Sequence, residues 1–136
     1  MENPLNQISE INNAKEQLPA VYEPVTEEFL EKYKAPLDTL RGNFKSRGGI
    51  HLATVDDYHI IFKVPSQRAY SMIRKRAEKL EPFEADMLLL GENLLYPRIE
   101  VVQAWIESGA FGLVSVFALE IVKATKATQE ATVKKI

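Results

Sequence analysis

Residues 87–122 read "MLLLGENLLYPRIEVVQAWIESGAFGLVSVFALEIV", an apolar stretch broken by Gly91, Pro97, Gly109 and Gly112. From Phe83 to Val122, 25 of 40 positions are aliphatic or aromatic. So much apolar surface must leave water, either into a bilayer, into a core or against another protein. The longest nearly uninterrupted run, Ala110 to Leu119, is about half of the ~20 residues a helix needs to span a bilayer. A transmembrane role therefore fails on length. Proline removes a backbone donor and glycine ends helices, so the breaks divide the stretch into three short helices able to fold back on each other. The first, with Leu88, Leu89, Leu94 and Leu95, has scarcely any polar side and is expected at the centre. The second carries Ile99, Val102, Trp105 and Ile106 and stops at Ser108-Gly109. Leu113, Val114, Phe117 and Ile121 make the third.

Upstream the period changes. Thr26 is a suitable N-cap, with Glu27 and Glu28 at the positive helix end, and Leu30, Tyr33 and Leu37 are spaced to share one side. Pro36 predicts a stop or a restart through Leu40, after which Gly42 and "SRGG" at 46–49 predict a loop. Tyr58, Ile60, Phe62 and Val64 then alternate with His59, Ile61 and Lys63, the pattern of a strand. Its expected mate is "IHLATV" at 50–55, joined through Asp56-Asp57 as a β-hairpin. Because an isolated hairpin is marginal in water, its apolar face must meet the helices or another chain. Pro65-Ser66 opens an amphipathic helix with Tyr70, Ile73, Ala77 and Leu80 on one side and Arg68, Arg74, Lys75 and Lys79 on the other.

These elements imply a single domain of α+β class, a mainly helical bundle with one β-hairpin, over residues 25–124. Residues 1–24, in which Ile8, Ile11 and Leu18 are too sparse to build a core face alone, are expected as a flexible arm with at most one short helix. Residues 125–136 are expected as a frayed tail. The chain has no cysteine, so disulfides and thiolate chemistry are excluded. The amino terminus has neither the basic start nor the apolar run of an export signal, which points to the cytoplasm. Net charge is −2, yet Arg41–Lys79 holds nine basic and three acidic residues while Glu81–Glu107 holds six acidic and one basic. Such two-sidedness can steer docking or self-association.

Candidate chemistry is thin. His51 and His59 sit on the two proposed strands, but two imidazoles without a third ligand make a poor metal site, and a packing or surface role fits them better. Asp56-Asp57 offers too few oxygens for a hard cation. "SRGG" lacks the Lys-Ser/Thr pair and the strand–loop–helix order of a phosphate-binding loop. Glu84, Asp86 and Glu92 match the solvent side of a helix. The basic patch of Arg68, Arg74, Lys75 and Lys79 could meet phosphates, but Tyr70 shares its face with Ile73 and Ala77, and the acidic total argues against nucleic acid. No enzyme motif, metal site or cofactor is expected.

The order of elements carries a further expectation. A hairpin ending in "IIFKVPSQRAY", an amphipathic helix and then "ADMLLLGENLLYPRIEVVQAWIESGAFGLVSVFALEIVK" resembles the small tail assembly chaperones of tailed bacteriophages and prophages, over residues 50–124. The resemblance implies a non-catalytic accessory protein of the bacterial host cytoplasm, one that binds the long, helical tape-measure protein and helps recruit tail-tube subunits, with homo-oligomers possible. Surplus apolar surface in such a chain can dock an amphipathic helix. The candidate docking residues are the exposed members of Leu94, Leu95, Trp105, Phe111 and Phe117, with Tyr58 and Phe62 contributing; the alternative places all seven in the core. Two other classes stay open: a structural tail or head-completion component, and a regulatory nucleic-acid-binding protein.

Overall fold

The computed structural model describes residues 4–126 and Lys135. In chain order the elements are α1 (Pro4–Gln17), α2 (Glu27–Lys32), α3 (Lys34–Phe44), a 3-10 turn (Lys45–Arg47), β1 (Ile50–Val55), β2 (Tyr58–Lys63), α4 (Gln67–Ala77), α5 (Pro82–Asn93), β3 (Leu94–Tyr96), α6 (Ile99–Glu107) and α7 (Gly112–Ala124). The class is α+β and mainly helical, as the periodicities imply.

The hairpin forms with Val55 opposite Tyr58, so Asp56-Asp57 is a two-residue turn, and Asp56 adopts φ +51°. A short polar side chain is among the few that tolerate that left-handed region. The hairpin is not isolated, however. Leu94–Tyr96 leaves the helical conformation and becomes β3, pairing antiparallel with β2 to give the sheet order β1-β2-β3. This corrects the helical placement of Leu94 and Leu95. The helix ends at Asn93 because the backbone turns extended at Leu94, with φ −74° and ψ 127°, and the sheet supplies the hydrogen bonds that the helix gives up.

Helices cover both faces of the sheet. On one face Ala53, Ile60 and Phe62 pack with Leu89 and Leu90 of α5 and Val114, Phe117 and Ile121 of α7. On the other, Ile61, Leu95 and Tyr96 pack with Leu37, Leu40 and Phe44 of α3 and Ala14 of α1, together with Leu18. Three consecutive β2 residues, Ile60, Ile61 and Phe62, are therefore buried. Ile61, the one apolar residue on the otherwise polar phase of the strand, marks the second covered face.

Several upstream expectations change for physical reasons. The Thr26 cap forms, its hydroxyl accepting from the Phe29 N–H at 3.2 Å. The chain then breaks at Tyr33, between α2 and α3, so a spacing counted across the break does not hold. Phe29 is buried there, while Leu30 lies at the exposed margin. Pro36 sits in the first turn of α3, where a missing N–H costs little. The helix runs through Gly42 to Phe44 because burial of Leu37, Leu40 and Phe44 along one side outweighs the ~1 kcal/mol penalty of an interior glycine. The chain turns at Gly48 and Gly49, with φ +93° and +78°. Downstream, Ser66 caps α4 by accepting from the Ala69 N–H at 3.2 Å, and Gly109, at φ +107°, follows the end of α6.

Residues 4–24 are packed against the body instead of forming an arm. Helix α1 lies along α3, and Ala14 and Leu18 are buried. Few apolar residues suffice because α1 closes an existing core instead of building one. The expected frayed tail falls mostly outside the described residues.

Leu18→Ala is expected to cost about 2–4 kcal/mol, as a large-to-small change at a buried site. Urea denaturation should show a lowered midpoint with an unchanged slope. A free arm would leave the midpoint where it was.

Candidate functional site

Burial sorts the seven candidate docking residues. Leu94, Leu95, Phe117 and Phe62 are buried, so none is among the exposed members of the set. Leu94 and Leu95 are sealed by β3 pairing, Phe62 by the central position of β2, and Phe117 by the contact of α7 with α5. Tyr58 and Trp105 are half-buried and meet edge to face, with ring centroids 5.0 Å apart. Phe111, just before α7, is 63% exposed.

Phe111 is not alone. Val116 and Leu119, one helical turn apart on α7, are also exposed. Residues 113, 114, 117, 118 and 121 of the same helix are buried. The outward stripe runs through Phe111, Ser115, Val116 and Leu119, and its first charged neighbours are Glu120 and Lys123, which pair with each other at 3.3 Å. Sequence reading missed Val116 and Leu119 because the helix is apolar nearly all round: the side with least contrast gives no phase.

The four residues of the basic patch, Arg68, Arg74, Lys75 and Lys79, are all exposed around α4. The Arg74 guanidinium lies 5.9 Å from the centre of the Tyr70 ring, and Arg76 pairs with Glu92 at 3.2 Å in the open, a pairing worth little in water. The hairpin register separates the histidines: His51 stands opposite Phe62 and His59 opposite Thr54, on different faces of the sheet. His51 stacks on Phe62 at 5.5 Å, and His59 Nδ1 accepts from the Val25 N–H at 3.0 Å. Among the described residues no group of three His, Cys, Asp or Glu is placed to hold a metal ion.

A groove of about 620 Å³ runs between α1 and the start of α6, with Leu94, Leu95 and Pro97 as its floor and Lys15, Glu16, Arg98 and Glu100 around it. All four charged side chains are exposed, so they form a solvated rim and do not converge on a reacting atom. The buried polar groups are structural. Asn93, 1% exposed, donates to the Leu89 carbonyl at 2.8 Å and accepts from Lys63 Nζ at 3.4 Å. Burial pushes Lys63 below the ordinary lysine range, and the nearby Arg47 and Lys15 push the same way against Glu92.

Two phenols fasten residues 22–25 to the sheet. Tyr22 Oη donates to the Asp57 carbonyl at 2.7 Å and accepts from the His59 N–H at 2.9 Å. Tyr96 Oη donates to the Glu23 carbonyl at 2.7 Å and accepts from the Glu23 N–H at 2.6 Å. Tyr33 Oη donates to the Glu23 carboxylate at 2.8 Å. Their rings continue the arrangement, Tyr22 meeting both Tyr96 and Trp105. Burial, the largest influence on the Tyr96 phenol, raises its pKa to about 12, although its hydrogen bond to Glu23 acts in the lowering direction.

No family model matches the sequence, and no curated protein and no solved structure matches the chain. Among the described residues no helix is long and apolar enough to cross a membrane.

The Tyr96 shift has a defined sign. An unfolded phenol loses its proton near its ordinary value of 10.0, while the folded one holds it to about 12. The contribution is thus complete below pH 10 and is lost as pH rises toward 12. Tyr96→Phe should lower stability by about 1–3 kcal/mol at neutral pH, by orphaning two Glu23 backbone groups. It should also flatten the fall between pH 10 and 12 in urea titrations relative to the parent chain.

Proposed function

We propose that the chain is a non-catalytic assembly chaperone, similar to the small tail assembly chaperones of tailed bacteriophages, and that the outer stripe of α7 receives an amphipathic helix of a tape-measure-like client. The observation that carries this reading is the exposure of Phe111, Val116 and Leu119 on a helix whose opposite side is the core.

The physical case rests on rigidity and surface together. Helix α7 is held along α5 and touches β1 and β2, so its outer stripe is presented without an ordering cost. Burying each large exposed apolar side chain yields about 1.5–3 kcal/mol at most, so three of them against a helix face can support a specific contact without making it irreversible. A helix-in-groove partner reads such positions at intervals of three and four residues. Ser115, in the middle of the stripe, is small enough to let the partner backbone approach. A chaperone must later release its client, and a contact of this modest size suits that requirement. The resemblance over residues 50–124 supplies the client class.

Co-expression with a fragment of a long amphipathic helical tape-measure protein tests the reading. Phe111→Asp and Leu119→Glu should each weaken capture at least about tenfold, equivalent to 1.4 kcal/mol. Both sites are exposed, so the urea midpoint should move by no more than about 0.5 kcal/mol in stability. Undiminished capture by both folded variants would remove α7 from the interface. Recovery of the chain in purified particles would favour the structural tail component instead.

A further inference from the structure

The sheet has one free edge long enough to be used. β1 lies at the outside of the order β1-β2-β3, and its six residues, Ile50-His51-Leu52-Ala53-Thr54-Val55, include no acidic or lysine side chain, no proline and no break in its register with β2. Among the described residues its outward N–H and C=O groups have no backbone partner. Proteins usually blunt such an edge with charge, proline, a bulge or a covering loop. Among the described residues none of these is present, and Leu52 stands 47% exposed on the strand. The other edge, β3, is three residues long and buried, so it offers no comparable template.

We propose that this edge of β1 pairs antiparallel with the same edge of a second copy of this chain, joining two three-stranded sheets into one. The occupant is identified by charge. Lys45 and Arg47 precede the strand and Asp56 and Asp57 follow it, all four exposed. Neither Arg47 nor Asp57 has an ion-pair partner among the described residues. In a two-fold antiparallel pairing the basic end of one strand meets the acidic turn of the other, and this happens at both ends of the ladder. A parallel arrangement would instead set like charges together.

The register follows from the hairpin. A two-residue turn closed by Val55 and Tyr58 makes those two exchange hydrogen bonds, so Val55, Ala53 and His51 face β2, and Ile50, Leu52 and Thr54 direct their backbone groups outward. Centring the two-fold axis on Leu52 engages all three outward residues: Leu52 faces Leu52, and Ile50 faces Thr54 of the second copy. The two exposed leucines then cover one another. Because the described residues of each chain offer only this one long edge, the contact is isologous and closes at a dimer without propagating as a fibre. This surface differs from the α7 stripe and does not depend on the client reading.

Sedimentation equilibrium of the full chain over a range of concentrations and salt is the test. A dimer that dissociates more readily as salt rises is expected, since exposed charge pairs are screened. Leu52→Lys should weaken it at least about tenfold by setting two ammonium groups directly opposite each other. Arg47→Glu and Asp57→Lys should each weaken it, and the double exchange should restore it. Those charge variants lie outside the strand and keep the result readable if Leu52→Lys disturbs folding. Amide exchange should slow at Leu52 and Thr54 as concentration rises. A chain that stays monomeric throughout overturns the proposal, as does a dimer insensitive to all three single changes. A dimer broken by Phe111→Asp or Leu119→Glu alone would place the contact on α7 and would also overturn it.

Discussion

The middle of strand β2, Ile60 to Phe62, has no side that faces water, and the rest of the fold is arranged around that fact. With Ile60 and Phe62 turned to one helical layer and Ile61 to the other, neither layer can be removed without exposing a strand whose backbone is already committed on both edges. A two-stranded hairpin with one apolar face would need only α5 and α7. The second apolar phase requires α3 and α1, and through them it draws residues 4–24 into the structure. The three-layer arrangement is therefore a consequence of burial on both faces of one strand.

The joint between layers is where polar chemistry matters most. Glu23 offers a backbone N–H, a carbonyl and a carboxylate, and tyrosine hydroxyls meet all three. Both tyrosines, Tyr33 and Tyr96, also pack their rings at a tilt against Phe29. Large rings remove apolar area from water while their hydroxyls satisfy backbone groups that helix or sheet does not reach. This explains how a segment without regular structure holds α1 and α2 to the sheet. Buried polar atoms elsewhere follow the same rule: Asn93, at the point where α5 becomes β3, donates to a helical carbonyl and accepts from Lys63.

What remains outside these constraints is a short inventory of surfaces with different physics. The outer stripe of α7 is apolar and rigid, suited to a helix. The edge of β1 is a row of unpaired backbone groups between a basic and an acidic end, suited to a strand. The groove beside Pro97 has a buried apolar floor and a solvated charged rim, so its charges interact through water. Self-pairing at one edge and client docking on a separate helix are compatible, and two copies would present two α7 stripes.

Local signals determined much of this protein. The hairpin and its Asp56-Asp57 turn, the caps at Thr26 and Ser66 and the stop at Gly109 depend on neighbours a few residues apart, and they can be read from residue order. Position on the seven candidate docking residues could not, because a leucine in an apolar run looks the same whether it lies in a helix, a buried strand or a surface stripe. Only the tertiary structure decided that Leu94 and Leu95 belong to a third strand, that Ala14 and Leu18 bring α1 onto α3, and that Phe111, Val116 and Leu119 stay in water. Each of those outcomes depends on a contact between residues distant in sequence, and burial is a property of what arrives from elsewhere in the chain.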